Sequence, residues 1–228
     1  MIKSKLKTEE QKFLASLKLL NENFYTRKDV VKIAKELLGK IIVTYFDKQL
    51  TAARITETEA YNGIVDKASH AYNNRRTKRT EIMYSGGGAA YVYLCYGIHH
   101  LFNVVTNLKD VPHAILIRAA EPLIGIDVML QRTHKKKLDA TLTSGPGNVS
   151  KALGIYTHHT GIDLRSENFF IADDGYKLSK NKIIITKRIG VDYAAEDALL
   201  PYRFLIKDNM YVSGKKPPKS PGKELAVS

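Results

Sequence analysis

The stretch Leu50-Thr-Ala-Ala-Arg-Ile-Thr-Glu-Thr-Glu-Ala-Tyr61 decides how this chain reads. Its first half is rich in aliphatic and β-branched residues, the signature of a strand. Side chains two apart on a strand share a face. Glu57, Glu59 and Tyr61 therefore fall on one side, unless the strand bends at Ala60. A face bound for a core should not carry two glutamates, because burying unpaired charge is costly. This strand end is expected to open into water or into a site.

The neighbours of this strand read outward from it. Residues 41–46 form a second strand, and Asp47-Lys-Gln49 is a hairpin loop between the two. Residues 29–38 predict an amphipathic helix, with Val30, Ile33, Ala34, Leu37 and Leu38 on one face and Gly39 as its stop. A shorter helix is expected over 13–20, behind a flexible polar tail at 1–11. Residues 62–88 read as loop, with a helical turn near 66–72, a basic cluster at Arg75-Arg-Thr-Lys-Arg79 and a turn at Ser85-Gly-Gly-Gly88. Lacking the lysine and hydroxyl of a P-loop, that triglycine is a turn and not a phosphate cradle.

Residues 89–95 and 100–106 predict a hairpin with Tyr96-Gly97-Ile98 at its tip, and Tyr91 and Tyr93 share a face of its first strand. Further strands are expected at 114–119 (carrying Arg118), 182–189 and 203–207, and helices at 123–132 and 148–153. Arg132-Thr-His-Lys-Lys-Lys137 reads as a solvated basic loop, and the Lys- and Pro-rich segment 214–228 as a disordered basic tail. Helices and strands mix without a strict βαβ rhythm. The fold class is α+β: a single domain over 12–213, with a mostly antiparallel curved sheet flanked by helices.

Composition narrows the function. The 228 residues are 44% hydrophobic, enough for a real core, with no run long enough to span a membrane. One cysteine, Cys95, rules out an intrachain disulfide and a cysteine zinc cage, and suits a reducing compartment. It reads as a small core residue. The net charge of +13 favours a polyanionic partner. The pairs His99-His100 and His158-His159 lack the spacing of a helical zinc site, and no serine sits in a nucleophile elbow. What remains is a carboxylate site with aromatic walls: Glu59, Tyr61, Tyr93, Tyr96 and Arg118. A carboxylate can activate water against a glycosidic carbon, and aromatic rings stack on bases. A residue on a hairpin tip can wedge into a base stack.

Those residues carry a resemblance. The strings Arg54-Ile-Thr-Glu-Thr-Glu-Ala-Tyr-Asn-Gly63, Tyr91-Val-Tyr-Leu-Cys-Tyr-Gly97, Leu116-Ile-Arg-Ala-Ala-Glu-Pro122 and Ser144-Gly-Pro146, with His70 and Asn103 at compatible spacing, resemble the mammalian-type alkyladenine (3-methyladenine) DNA glycosylases. The resemblance implies a monofunctional enzyme that flips alkylated or deaminated purines out of duplex DNA and hydrolyses the N-glycosidic bond. It implies Glu59 as the base that activates water and Arg118 as the residue that holds that water. Tyr61, His70, Tyr93 and Asn103 would line the base pocket, with Asn103 crowding the 2-amino group of guanine. Tyr96 would intercalate and Ile98 would wedge beside it, where relatives often carry methionine. Ala114, where some relatives are bulkier, implies a roomier pocket. Glu57 is expected to be a supporting or surface residue and not a second catalyst, and Tyr91 to belong to the core.

No cofactor and no metal are implied. The expected partner is double-stranded DNA with damaged purines, bound by a monomer with no membrane attachment. The expected setting is a bacterial cytoplasm at the nucleoid, or a nucleus if the source is eukaryotic. The alternative is a non-catalytic RNA- or DNA-binding protein, which Glu59 disfavours because a carboxylate in a phosphate-facing groove weakens binding. A metal-dependent nuclease is the third reading.

Overall fold

The computed structural model describes residues 6–214. Of the expected tails at 1–11 and 214–228, residues 1–5 and 215–228 lie outside the described residues. The expected helix over 13–20 sits earlier, as α1 (Thr8–Ala15), so Thr8 to Gln11, counted with the tail from sequence, form its first half. Phe13, Leu14 and Leu17 still reach the sheet, against Ile41, Val43, Leu50 and Ala52. Lys18 and Leu19 then leave the helix to pair with the sheet edge as β1 (Lys18–Leu19).

A short helix, α2 (Glu22–Tyr25), is capped by the Asn21 side chain. The next, α3 (Val30–Leu37), falls where the periodicity puts it. Asp29 accepts a hydrogen bond from Lys32 N at 2.8 Å and so satisfies one orphan donor of the first turn. Val30, Ile33, Ala34 and Leu37 are buried on one face. β2 (Ile41–Phe46) and β3 (Gln49–Tyr61) follow, joined by Asp47 and Lys48, both at positive φ (52° and 61°). That is the two-residue turn whose twist matches a hairpin.

β4 (Ala90–Cys95), β5 (His99–Thr106) and β6 (His113–Ile124) form a meander. β6 runs on through Ile124, so the helix expected over 123–132 begins later, as α4 (Ile126–Thr133) behind Gly125. Arg132 in its last turn is half-buried, bonding Thr51 and the Ala152 carbonyl, and is not part of a solvated loop. α5 (Pro146–Leu153) starts at Gly145-Pro146, where proline suits a first helical position, and stops at Gly154. β7 (Phe169–Asp173), unassigned from sequence, fills the place between β1 and β2. β8 (Ile183–Thr186) and β9 (Arg203–Ile206) are shorter than expected.

Nine strands among the described residues form one antiparallel sheet in the order β1-β7-β2-β3-β6-β5-β4, with β8-β9 joined to β3. β3 is its spine. β6 runs along one edge, and β2 and then β9 share the other. The main core lies between one sheet face and the helices, with Ile33 and Leu37 of α3 and Val149 and Leu153 of α5 against Ile55, Phe102, Ile117 and Phe204.

The spine carries the device that makes a site possible. In the β3–β6 ladder Ile55 pairs with Ala120, Glu57 with Ala119 and Thr58 with Ile117. Thr56 and Arg118 are thus each left unpaired, one bulge on each strand. An extra residue inverts the in-out alternation. Before the bulge Ala53 and Ile55 face the main core; after it Ala60 does, while Thr58 donates to the α3 carbonyl of Ala34 at 2.9 Å. Glu57, Glu59 and Tyr61 are thereby turned to the opposite face. β6 inverts in step, with Ile115 and Ile117 in the core before Arg118 and Ala120 after it. No helix among the described residues is long and apolar enough to cross a membrane.

Candidate active site

The bulged face of β3 and β6 forms the floor of a cavity of about 370 Å³. That lies within the range of small-ligand sites. Tyr61, His70, Tyr91, Tyr93, Asn103 and Arg118 all contribute to its wall. The mouth is bordered by Tyr96 and His99 of the hairpin, the Gly145–Asn148 start of α5 and the Ile189–Tyr193 segment.

Glu59 lies one layer behind this wall, covered by Tyr61, Arg118 and Ile189, and is fully buried. Its Oε1 accepts from the Ile189 backbone N–H at 2.8 Å and its Oε2 from the Tyr61 hydroxyl at 2.9 Å. Arg118 Nη1 is 3.3 Å from Oε2. Burial raises the Glu59 pKa, against the opposing pull of Arg118, the Ile189 N–H and Tyr61. Tyr61 is itself held well above its ordinary pKa, by burial first and by the Glu59 charge. It therefore stays a proton donor to the carboxylate.

Glu57 has a different role. Its Oε1 accepts from Arg118 Nε at 2.8 Å, Arg203 Nε at 2.7 Å and Ser213 Oγ at 2.9 Å, and its Oε2 accepts from the Ser213 backbone N–H. With both oxygens taken and no exposure, it is a clamp that aims Arg118 at Glu59. The supporting role expected from sequence matches this geometry; a surface position does not.

Behind Tyr61 lies a second buried pair. Arg188 Nη2 is 2.8 Å from Asp66 Oδ1, and Nη1 contacts Asp66 Oδ2 and the Ala60 carbonyl. The guanidinium lies 4.8 Å from the Tyr61 ring centre. This pair ties the segment bearing Ile189 to the end of β3. Neither Arg188 nor the clamp residues Arg203 and Ser213 were singled out from sequence for this site. A buried arginine carries no local signature, since its partner is more than a hundred residues away.

On the opposite wall His70 Nδ1 is 2.8 Å from the Tyr91 hydroxyl, and its ring meets Tyr93 edge-on at 4.6 Å. Its pKa is pushed down to about 4, by burial and by the charges of Arg79 and Arg75. The ring is therefore neutral near pH 7. Tyr91 is buried, as expected, yet also forms part of the wall. Asn103 is buried with its amide nitrogen bonded to the Tyr91 and Leu101 carbonyls, and Ala114 lies beside it in the wall. Cys95 is not a core residue: it is partly exposed and lines the cavity.

The hairpin tip stands out into solvent. Tyr96 is 90% exposed, Ile98 72% and Leu94 45%. Tyr96 and Gly97 both take positive φ (50° and 73°), an uncommon conformation for an aromatic residue. Among the described residues no group of three or more His, Cys, Asp or Glu side chains could hold a metal ion.

An antiparallel α+β domain with a buried carboxylate behind an aromatic cavity, under a strong positive charge, suits a hydrolase that works on nucleic acid bases. Residues 23–210 match the profile of the methylpurine-DNA glycosylase (MPG) family, and the chain belongs to that family. It is a DNA glycosylase for alkylated bases. Relatives bear the name "Putative 3-methyladenine DNA glycosylase". One from Clostridium novyi (strain NT) is 44% identical over 206 residues, covering 87% of this chain and 100% of the relative. One from Desulfitobacterium hafniense (strain Y51) is 43% identical over 206 residues, with the same coverage. One from Chlamydia felis (strain Fe/C-56) is 48% identical over 189 residues, 82% of this chain and 96% of the relative.

Proposed function

We propose that this enzyme flips alkylated and deaminated purine nucleotides out of duplex DNA and hydrolyses their N-glycosidic bond with a water activated by Glu59. The observation that carries the reading is the buried Glu59 carboxylate, held by Ile189 and Tyr61 at the back of an aromatic cavity with Arg118 3.3 Å from its Oε2. The water is held by Arg118 beside Glu59 Oε2. Its oxygen bonds to C1′ as the C1′–N9 bond breaks, its proton passes to Glu59, and the bonding electrons leave with the base. An abasic site and a free purine are the products. A base alkylated at N3 or N7 carries positive charge and leaves readily; hypoxanthine needs a proton at N7.

Tyr61, Tyr93 and His70 supply faces and an edge for the extruded base, and Asn103 crowds the 2-amino group of guanine. Extrusion costs a few kcal/mol, least for a poorly paired base. Tyr96, with Ile98 beside it, offsets part of this by filling the gap in the stack. The protein acts as a monomer on bacterial chromosomal DNA. Excision measured with chelator present tests the reading. Base loss without strand breakage is expected, whereas metal-dependent cleavage would identify a nuclease.

Two further results are expected. Tyr96→Ala slows single-turnover excision by roughly tenfold, since ~1.4 kcal/mol of lost gap-filling is a factor of ten. Its affinity for undamaged duplex stays within about twofold, because phosphate contacts dominate that binding. An unchanged excision rate rules out the plug. Salt titration of binding is expected to give a slope of log K against log salt near −4 to −5, for about five phosphate contacts. A flat response removes the basic loops from the DNA-facing side.

A further inference from the structure

An unneutralised cation lies against the base-pocket wall. Arg79 Nη2 is 2.9 Å from His70 Nε2 and 3.2 Å from Nδ1. Its Nε donates to the Tyr91 hydroxyl at 3.4 Å, and its Cζ is 5.2 Å from the Tyr93 ring centre. Arg76, three residues earlier, is paired with both Glu81 and Asp110. Among the described residues Arg79 makes no such pair with a carboxylate. One arginine in this basic run thus has its charge compensated, while another directs its charge onto the three side chains that form one wall of the cavity.

The bonding pattern fixes what Arg79 does to that wall. Arg79 Nη2 lies within 3.2 Å of both ring nitrogens of His70, so its charge rests against the imidazole and opposes a proton there. The depressed His70 pKa agrees with a neutral ring. Tyr93 already shares its ring with a cation. An extruded base with a fixed positive charge would meet a like charge across the same rings. A neutral modified base meets no such repulsion, and finds an uncharged imidazole to bond.

We propose that Arg79 is a specificity-determining residue that sets the charge preference of the base pocket, disfavouring cationic alkylpurines relative to neutral modified purines. The inference rests on the glycosylase reading and adds to it which residue balances the two substrate classes. Arg79 lies on an exposed turn closed by Thr77 and Thr80, so replacing it leaves the fold intact.

The test compares single-turnover excision at saturating enzyme, where DNA affinity drops out. One duplex carries 7-methylguanine, a cation; the other carries hypoxanthine or ethenoadenine, both neutral. In Arg79→Met the cationic-to-neutral rate ratio is expected to rise roughly fivefold, the effect of removing one like charge near the ring. Arg79→Lys keeps the charge and is expected to hold the ratio within about twofold of wild type. Equal loss of both rates in Arg79→Met, with the ratio unchanged, overturns the inference and leaves Arg79 a phosphate contact. Failure of the wild type on every lesion is a different result and removes the glycosylase reading itself.

Discussion

Glu59→Gln is expected to lower single-turnover excision by about 10³-fold, within the ~10²–10⁴ that general-base catalysis contributes. The substitution is nearly isosteric. The amide oxygen can still accept from the Ile189 N–H, so the segment over the site keeps its place. Tm should hold, and DNA affinity should be equal or higher, because a negative charge is removed near a polyanion. The pH profile carries a second signature. Burial raises the Glu59 pKa above the ordinary carboxylate value of ~4.3, and only the deprotonated form takes a proton from water. Wild-type rate therefore falls as pH drops through that raised value. His70, with its pKa near 4, stays neutral on the alkaline side of it. Glu59→Gln removes the acid limb along with the rate. A variant that kept wild-type excision, or lost activity only through weaker DNA binding, would remove Glu59 from the chemistry.

Arg188→Met is expected to destabilise the fold by about 3–5 kcal/mol, the cost of leaving one partner of a buried ion pair uncompensated. The pair is buried on both sides, at 3% exposure for Arg188 and 1% for Asp66. Asp66 also accepts from the Asn62 and Ala68 backbone N–H groups, so its carboxylate cannot simply turn to solvent. For a domain of this size, a few kcal/mol corresponds to roughly 10 °C in Tm. The arginine has a second consequence, because it positions the chain that brings the Ile189 N–H to Glu59. Excision should therefore drop several-fold even well below Tm. Adding Asp66→Leu removes the orphaned charge and should recover part of the Tm but not the activity. A single-variant Tm within about 2 °C of wild type contradicts this account of the pair.

The parts of the fold legible in the sequence are those set by local pattern. α3 shows five apolar residues at helical spacing with Asp29 before and Gly39 after, and the β2–β3 hairpin is two strong strands around Asp47-Lys48. The sequence pattern places α1 too late because its first turn, Thr8-Glu9-Glu10, is polar and its sheet-facing residues come only at its end. β7 is short and is buried between two strands distant in sequence, so little marks it locally.

The paired bulges at Thr56 and Arg118 are the larger omission. The sequence shows two glutamates on the face that Ala53 and Ile55 give to the core, and only the ladder resolves the conflict by inverting the alternation. Every pocket residue expected from the strand pattern or the resemblance is found at the cavity, and Glu59 lies directly behind it. Cys95 was within reach as well. It falls two residues after Tyr93 and four after Tyr91, on the same face, and so belongs to the wall and not to the core. Arg188, Arg203 and Ser213 act through contacts across more than a hundred residues or through the chain's last described turn, which no local pattern encodes.

Single-turnover excision on duplexes carrying one hypoxanthine, one ethenoadenine or one methylated purine, with chelator present, tests the central claim most directly. Alkali-revealed breaks at the lesion, absent without alkali and absent with Glu59→Gln, are the predicted result. No breaks on any of these substrates while the duplex is still bound tightly would contradict it, leaving a protein with the family's fold and DNA-facing charge but without the hydrolysis.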